Sequence, residues 1–111
     1  MVVRNEENRG SAAGCNQGLA RARGRYLVFL NNDTRVTPGS LHGLIGWSLT
    51  DWPHVGLVGP LSNYAPPPQL CGGRYAGPEG LEALARQLAQ VNAGKALHVG
   101  RLTGFCLLVR R

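Results

Sequence analysis

Acidic residues are scarce in this chain, with six Asp and Glu against twelve Lys and Arg and a formal net charge of +6 over 111 residues. The shortage limits carboxylate chemistry to Glu6, Glu7, Asp33, Asp51, Glu79 and Glu82. The positive balance raises nucleic acid as a partner. Against that, the sequence has no RNA-binding aromatic signature, no zinc-finger spacing and no long basic helix. Eleven of the twelve basic residues are Arg, with Lys95 the exception, a bias that genomic base composition explains as well as binding does. Long apolar runs are also missing, and none approaches the roughly 20 residues that span a bilayer. The opening residues do not read as a secretory leader. Cys15, Cys71 and Cys106 lack C-x-x-C spacing and are odd in number, which argues against a disulfide framework or a zinc site. Reduced thiols are the expectation, in a cytoplasmic protein or one at the inner face of the membrane. Internal repeats and a linker between two domains are absent as well.

What is present fits one globular α/β unit, with 43% hydrophobic residues and 16 glycines. A chain of this length buries roughly two-thirds of its unfolded surface. Val2-Val3 reads as the tail of a strand running into a polar turn at Asn5 to Gly10. Ser11 is a good N-cap, and Ala12, Cys15, Leu19 and Ala22 share a face, so the spacing predicts a helix over 11–23. Gly24 is then suited to a left-handed stop. Thr37-Pro38 pairs an N-cap with proline at the first helical position. The apolar face that follows is Leu41, Leu44, Ile45 and Leu49, and Asp51-Trp52-Pro53-His54 ends it. Val55–Val58 reads as a short strand. Residues 60–78 form a long loop of the kind that is usually functional or mobile, with the Ser62-Asn63-Tyr64 to Gln69 stretch its polar and aromatic part. Leu81, Leu84, Ala85, Leu88 and Val91 mark a third helix capped by Gly94, and Leu97–Val99 and Phe105–Val109 read as closing strands.

The most informative stretch is Tyr26-Leu27-Val28-Phe29-Leu30-Asn31-Asn32-Asp33-Thr34. Its five apolar residues are too few for a helix and predict a central strand buried on both faces, as in a parallel sheet. The run stops at two amides and a carboxylate. Ligands of open α/β sheets sit beyond the carboxyl ends of the strands, where Asp33 could serve a metal or phosphate. Turn chemistry alone explains Asn-Asn-Asp-Thr equally well. The histidines His42, His54 and His98 have no partners at metal-ligand spacing, and Trp47 and Trp52 read as packing residues.

Taken in order, Asn8-Arg9-Gly10, the segment Gly14-Cys15-Asn16-Gln17-Gly18, Ala22-Arg23-Gly24, the apolar strand, Asn31-Asn32-Asp33 and Thr37-Pro38-Gly39 closely resemble the middle of a family 2 glycosyltransferase domain of the GT-A type. Val55-Gly56-Leu57-Val58-Gly59-Pro60 and Gly104-Phe105-Cys106-Leu107-Leu108-Val109-Arg110-Arg111 are similar to later parts of that family. The resemblance implies a Rossmann-like α/β core, a nucleotide-sugar donor, a glycan or lipid-linked sugar as acceptor, and a divalent cation (Mg or Mn) at the donor diphosphate. It implies donor-binding roles for Asn8, Gly10, Asn16, Asn31, Asn32 and Asp33, with Asp33 and Asn31 beside the metal. Asn31 departs from the family's Asp-x-Asp by offering a neutral amide oxygen in place of the first carboxylate. For Gly10 a tight turn is the structural alternative, and for Asn16 a cap or a bridge to a neighbouring strand.

The same resemblance implies that residues 1–111 are one partial domain, without the first nucleotide-binding strands and without the segment that carries the family's catalytic base. The transfer needs a carboxylate to deprotonate the acceptor hydroxyl, and the remaining acids are poor candidates. A binding or assembly module that kept part of the fold is the alternative, followed by a basic nucleic-acid-binding domain. An apolar strand left with an open edge would also invite self-association.

Overall fold

The computed structural model describes residues 1–49 and 54–111. The element order is α1 (Gly10–Arg21), β1 (Tyr26–Leu30), α2 (Ser40–Leu49), β2 (Leu57–Val58), α3 (Gly77–Val91) and β3 (Cys106–Arg110). The expected helix break at Asp51, Trp52 and Pro53 lies outside the described residues, as does the side chain of Leu49.

The three strands form one sheet in the order β1-β3-β2, and β3 is antiparallel to both neighbours. The expected parallel sheet with Tyr26–Leu30 at its centre is therefore corrected, because β1 pairs antiparallel with β3 and, among the described residues, stands at the edge of the sheet. It pairs along its length with β3, from Tyr26 opposite Arg110 to Leu30 opposite Cys106. Backbone bonds extend the ladder at both ends, with Asn31 N–H donating to Phe105 O at 2.9 Å and Arg111 N–H donating to Arg25 O at 2.9 Å. A five-residue apolar run reads alike in either strand direction, since periodicity reports burial and not the partner's polarity.

Nor is β1 buried on both faces, for Val28 and Leu30 are 41% and 46% exposed. Directly paired residues share a face of the sheet, so Val28 and Leu30 lie on the same side as Leu108 and Cys106. There α2 supplies Leu44, and Leu44, Cys106 and Leu108 form the buried core, with Tyr26, Ile45, Val58 and Phe105 packed against it. Leu108 is 1% exposed. The core centres on β3, the strand with neighbours on both sides, and thins toward β1.

Several local expectations are also revised. α1 begins at Gly10, with Arg9 as N-cap in place of Ser11, and stops at Arg21. Gly24 is not in a left-handed conformation. Its need for glycine is a close approach, since a Cβ there would lie 2.9 Å from the carbonyl oxygen of Tyr26. α2 starts two residues beyond Pro38, after a turn in which Ser40 N–H donates to Thr37 O at 3.2 Å and the two hydroxyls lie 2.8 Å apart. The strand expected at Val55–Val58 is reduced to Leu57–Val58, and α3 is capped at Asn92 ahead of Gly94. Val2-Val3 and Leu97–Val99 are not strands, because no described strand stands beside them to complete a ladder. α1 and α3 bury none of their residues.

Candidate functional site

The polar cluster begins where β1 ends. Leu30 completes the pairing with β3, Asn31 spends its N–H on Phe105, and the chain then turns, with Thr34 N–H donating to Asn31 O at 3.2 Å. Asn31, Asn32 and Asp33 are all exposed at this turn. The segment beyond is tied to α3 by Arg35 Nη2 and Glu82 Oε1 at 3.7 Å, a half-exposed pair worth at most about 1 kcal/mol in solvent.

A second polar group stands at the start of α1. Asn8 Oδ1 accepts a hydrogen bond from Gly10 N–H at 2.9 Å, and Gly10 has φ +77 with nothing near the position of a Cβ. Handedness, not space, is what demands glycine there. Asn5 Nδ2 donates to Gln17 Oε1 at 2.8 Å and holds the entering chain against the helix. Asn8 takes the Gly10 N–H, and the first turn of α1 carries no acidic residue, so no side-chain charge of that turn neutralises the positive end of the helix dipole. Asn16 is exposed midway along α1. It makes no bridge to a neighbouring strand, so that alternative for Asn16 is not what this fold uses.

The chain reverses within Ala22–Arg25, where Arg111 Nη1 donates to Ala22 O at 2.7 Å. α1 consequently runs back beside β1, and an open groove between them is lined by Gly14, Cys15, Gly18, Leu19, Ala22 and Gly24 on one side and Tyr26–Leu30 on the other. None of the six residues singled out by sequence lines it. They fall into two sets, Asn8 and Gly10 at the start of α1 and Asn31, Asn32 and Asp33 at the exit of β1, with Asn16 apart on the helix surface.

Among the described residues no group of three His, Cys, Asp or Glu side chains could hold a metal ion together. Asp33 is thus a lone carboxylate with one amide two residues before it. His42 and His54 are exposed, in keeping with surface histidines. On the long loop the structure divides the polar stretch. Tyr64 is 91% exposed, and Asn63 Nδ2 donates to Tyr75 OH at 2.7 Å.

Gln69, in contrast, is 4% exposed. It spans two segments, donating from Nε2 to Pro60 O at 2.9 Å and accepting from Thr103 N–H through Oε1 at 2.6 Å. In the sequence Gln69 ends the polar and aromatic part of the long loop. A polar residue after three prolines carries no signal that its amide will be buried.

These features define the class as a small mixed α/β chain built on a three-stranded antiparallel sheet, with one polar turn at the start of α1 and another at the exit of β1. The family model described as glycosyl transferase family 2 matches residues 1–65. That is more than half of the chain, and the protein belongs to that family. The match takes in the Asn8–Gly10 turn, α1, β1, Asn31–Asp33, α2 and β2, while the similarity read in Gly104–Arg111 lies outside it. No curated protein and no solved structure matches the chain.

Proposed function

We propose that the chain contributes the donor-diphosphate side of a glycosyltransferase that moves a sugar from a nucleotide-sugar to an acceptor. The observation that carries this reading is the family match over residues 1–65, which contains both polar sets. A partial GT-A core accounts for the sheet, in which β1 and β2 run parallel to each other with the antiparallel β3 between them.

In this reading the exposed N–H groups at the start of α1 attract phosphate oxygens, and Asn8 holds the Gly10 turn that presents them. Asn31 and Asn32 offer amide donors and acceptors to the diphosphate or ribose, and Asn16 flanks the nucleotide from the helix surface. Asp33 and Asn31 are the groups that would hold Mg or Mn. One carboxylate and one neutral oxygen fit a cation that takes its other ligands from phosphate and water. Such an ion supplies Lewis-acid stabilisation of the departing nucleoside diphosphate.

Titration calorimetry with Mn²⁺ and a panel of nucleoside diphosphates tests the assignment. Expected is nucleotide binding that needs the cation and is lost in Asp33→Ala, with little affinity for the cation alone. Equal binding by the parent and Asp33→Ala proteins would overturn it. Among the described residues no helix is long and apolar enough to cross a membrane.

A further inference from the structure

The long loop after β2 is closed by a bridge between Ser62 and Leu70. Ser62 N–H donates to Gln69 O and Cys71 N–H donates to Ser62 O, each at 2.8 Å. Inside that closure Gln69 N–H donates to Pro66 O at 3.2 Å, and Pro66, Pro67 and Pro68 each fix φ. Ser62 Oγ accepts the Tyr64 N–H at 3.1 Å, and Asn63 ties the loop to Tyr75. The buried amide of Gln69 anchors it to Pro60 and Thr103. A loop held at so many points still turns Tyr64 out to 91% exposure, against 39% for Tyr75.

The register of the sheet sets where this loop leaves. Val28 of β1 and Val58 of β2 both stand opposite Leu108, and the two strands run in the same direction on either side of β3. Both chains therefore leave the sheet at the same end, roughly 10 Å apart as next-nearest strands. The segment entering β3 is bonded to both exits. Phe105 O takes the Asn31 N–H, and Thr103 N–H donates to Gln69.

We propose that residues 62–71 form a platform for the acceptor sugar, with the Tyr64 ring stacked on the C–H face of an acceptor pyranose. This rests on the reading of Asn31–Asp33 as the donor side. A pyranose presents an apolar C–H face ringed by hydroxyls, and a tyrosine offers it a flat apolar body with a polar tip. The Asn63 carbonyl oxygen and the Tyr75 hydroxyl proton, neither used in the bond between those side chains, supply hydrogen bonds to the ring hydroxyls. Transfer requires the acceptor hydroxyl to be held against the donor's anomeric carbon, and a loop leaving the sheet one strand beyond the diphosphate groups stands on the side where that hydroxyl must enter. Because the loop is fixed before the sugar arrives, little ordering cost is charged to binding. Gln69 is a positioning residue in this scheme, since it holds the loop to the segment that also bonds Asn31.

Saturation-transfer NMR with methyl glycosides of hexoses, 6-deoxyhexoses and N-acetylhexosamines tests the platform. At least one class should bind, with its C–H protons receiving most of the transferred signal. Tyr64→Ala should weaken that binding about tenfold, while Tyr64→Phe, which keeps the ring, should retain it. Both substitutions are at an exposed side chain, and circular dichroism checks that the fold is kept. Hexyl glycosides of the same sugars separate the two sources of a pyranose: tighter binding assigns it to a lipid-linked acceptor and equal binding to a free glycan, the Tyr64 dependence holding in each case. Absence of binding by every class, or binding indifferent to Tyr64→Ala, would overturn the proposal. So would a Tyr64 dependence found for nucleoside diphosphates and not for glycosides. Asp33→Ala should leave glycoside binding in place, so a failure of the donor-side assignment shows in nucleotide binding alone and is read separately from a failure of the platform.

Discussion

Gln69→Ala is the substitution whose cost follows most directly from the structure. The side chain is 4% exposed and is the shared partner of Pro60 O, at 2.9 Å, and Thr103 N–H, at 2.6 Å. Truncation leaves a carbonyl and an amide N–H without that partner in a place with little access to water. Each such group costs about 1–3 kcal/mol when fully cut off from water, and because both hydrogen bonds are only part-buried the lower part of the combined range, about 2–4 kcal/mol, is expected. For a chain of this size, each kcal/mol lowers the melting temperature by roughly 4–8 °C. Gln69→Leu keeps most of the volume but neither hydrogen bond, and should recover little of the loss if hydrogen bonding dominates.

Gly59 supplies the internal check. A Cβ at Gly59 would lie 2.9 Å from Gln69 Nε2 and 3.3 Å from Leu102 Cδ2. Gly59→Ala alone must push the amide off Pro60, at a cost of about 1 kcal/mol. In a Gln69→Ala background that obstacle is gone, so the double variant should fall short of the additive sum by about the same 1 kcal/mol. Urea denaturation followed by tryptophan fluorescence reads all four proteins. A midpoint unmoved by Gln69→Ala, or strict additivity in the cycle, would refute the clamp.

Leu108→Ala removes the most buried of the core side chains among the described residues, where Leu44 and Cys106 are its buried neighbours; a loss of about 2–5 kcal/mol should leave the chain largely unfolded by circular dichroism. Burial pushes the Cys106 thiol above its ordinary range, while Cys15 is exposed, so iodoacetamide should label Cys15 first and Cys106 only on unfolding. The same shift carries a sign. Below about pH 8.5 the thiol is neutral in both states, and as pH rises toward the elevated folded value only the unfolded chain ionises, so stability falls on the alkaline side. Cys106→Val should flatten that limb in a series of melting curves. Finally, the purified chain should turn over little nucleotide-sugar in a coupled release assay, because Glu82 is engaged by Arg35 and Glu6 and Glu7 are exposed in the entering loop. Robust turnover would mean that one of these acids serves as base.

The elements that sequence could specify were those set by local chemistry. Tyr26–Leu30 as a strand, the helix around Leu81–Val91 and the turn at Asn8–Gly10 follow from apolar spacing and from glycine's access to positive φ. Family membership was legible for the same reason, since the order of short motifs survives without any knowledge of contacts. Strand direction and position were not legible. Tyr26–Leu30 carries the same apolar run whether β3 approaches it parallel or antiparallel, and only the path through α3 decides that β3 runs against it. The burial of Gln69, the exposure of α1 and the place of β1 at the edge of the described sheet are likewise properties of what lies opposite each residue. A sequence states what a side chain can bond to, and the tertiary structure alone states which groups stand within reach.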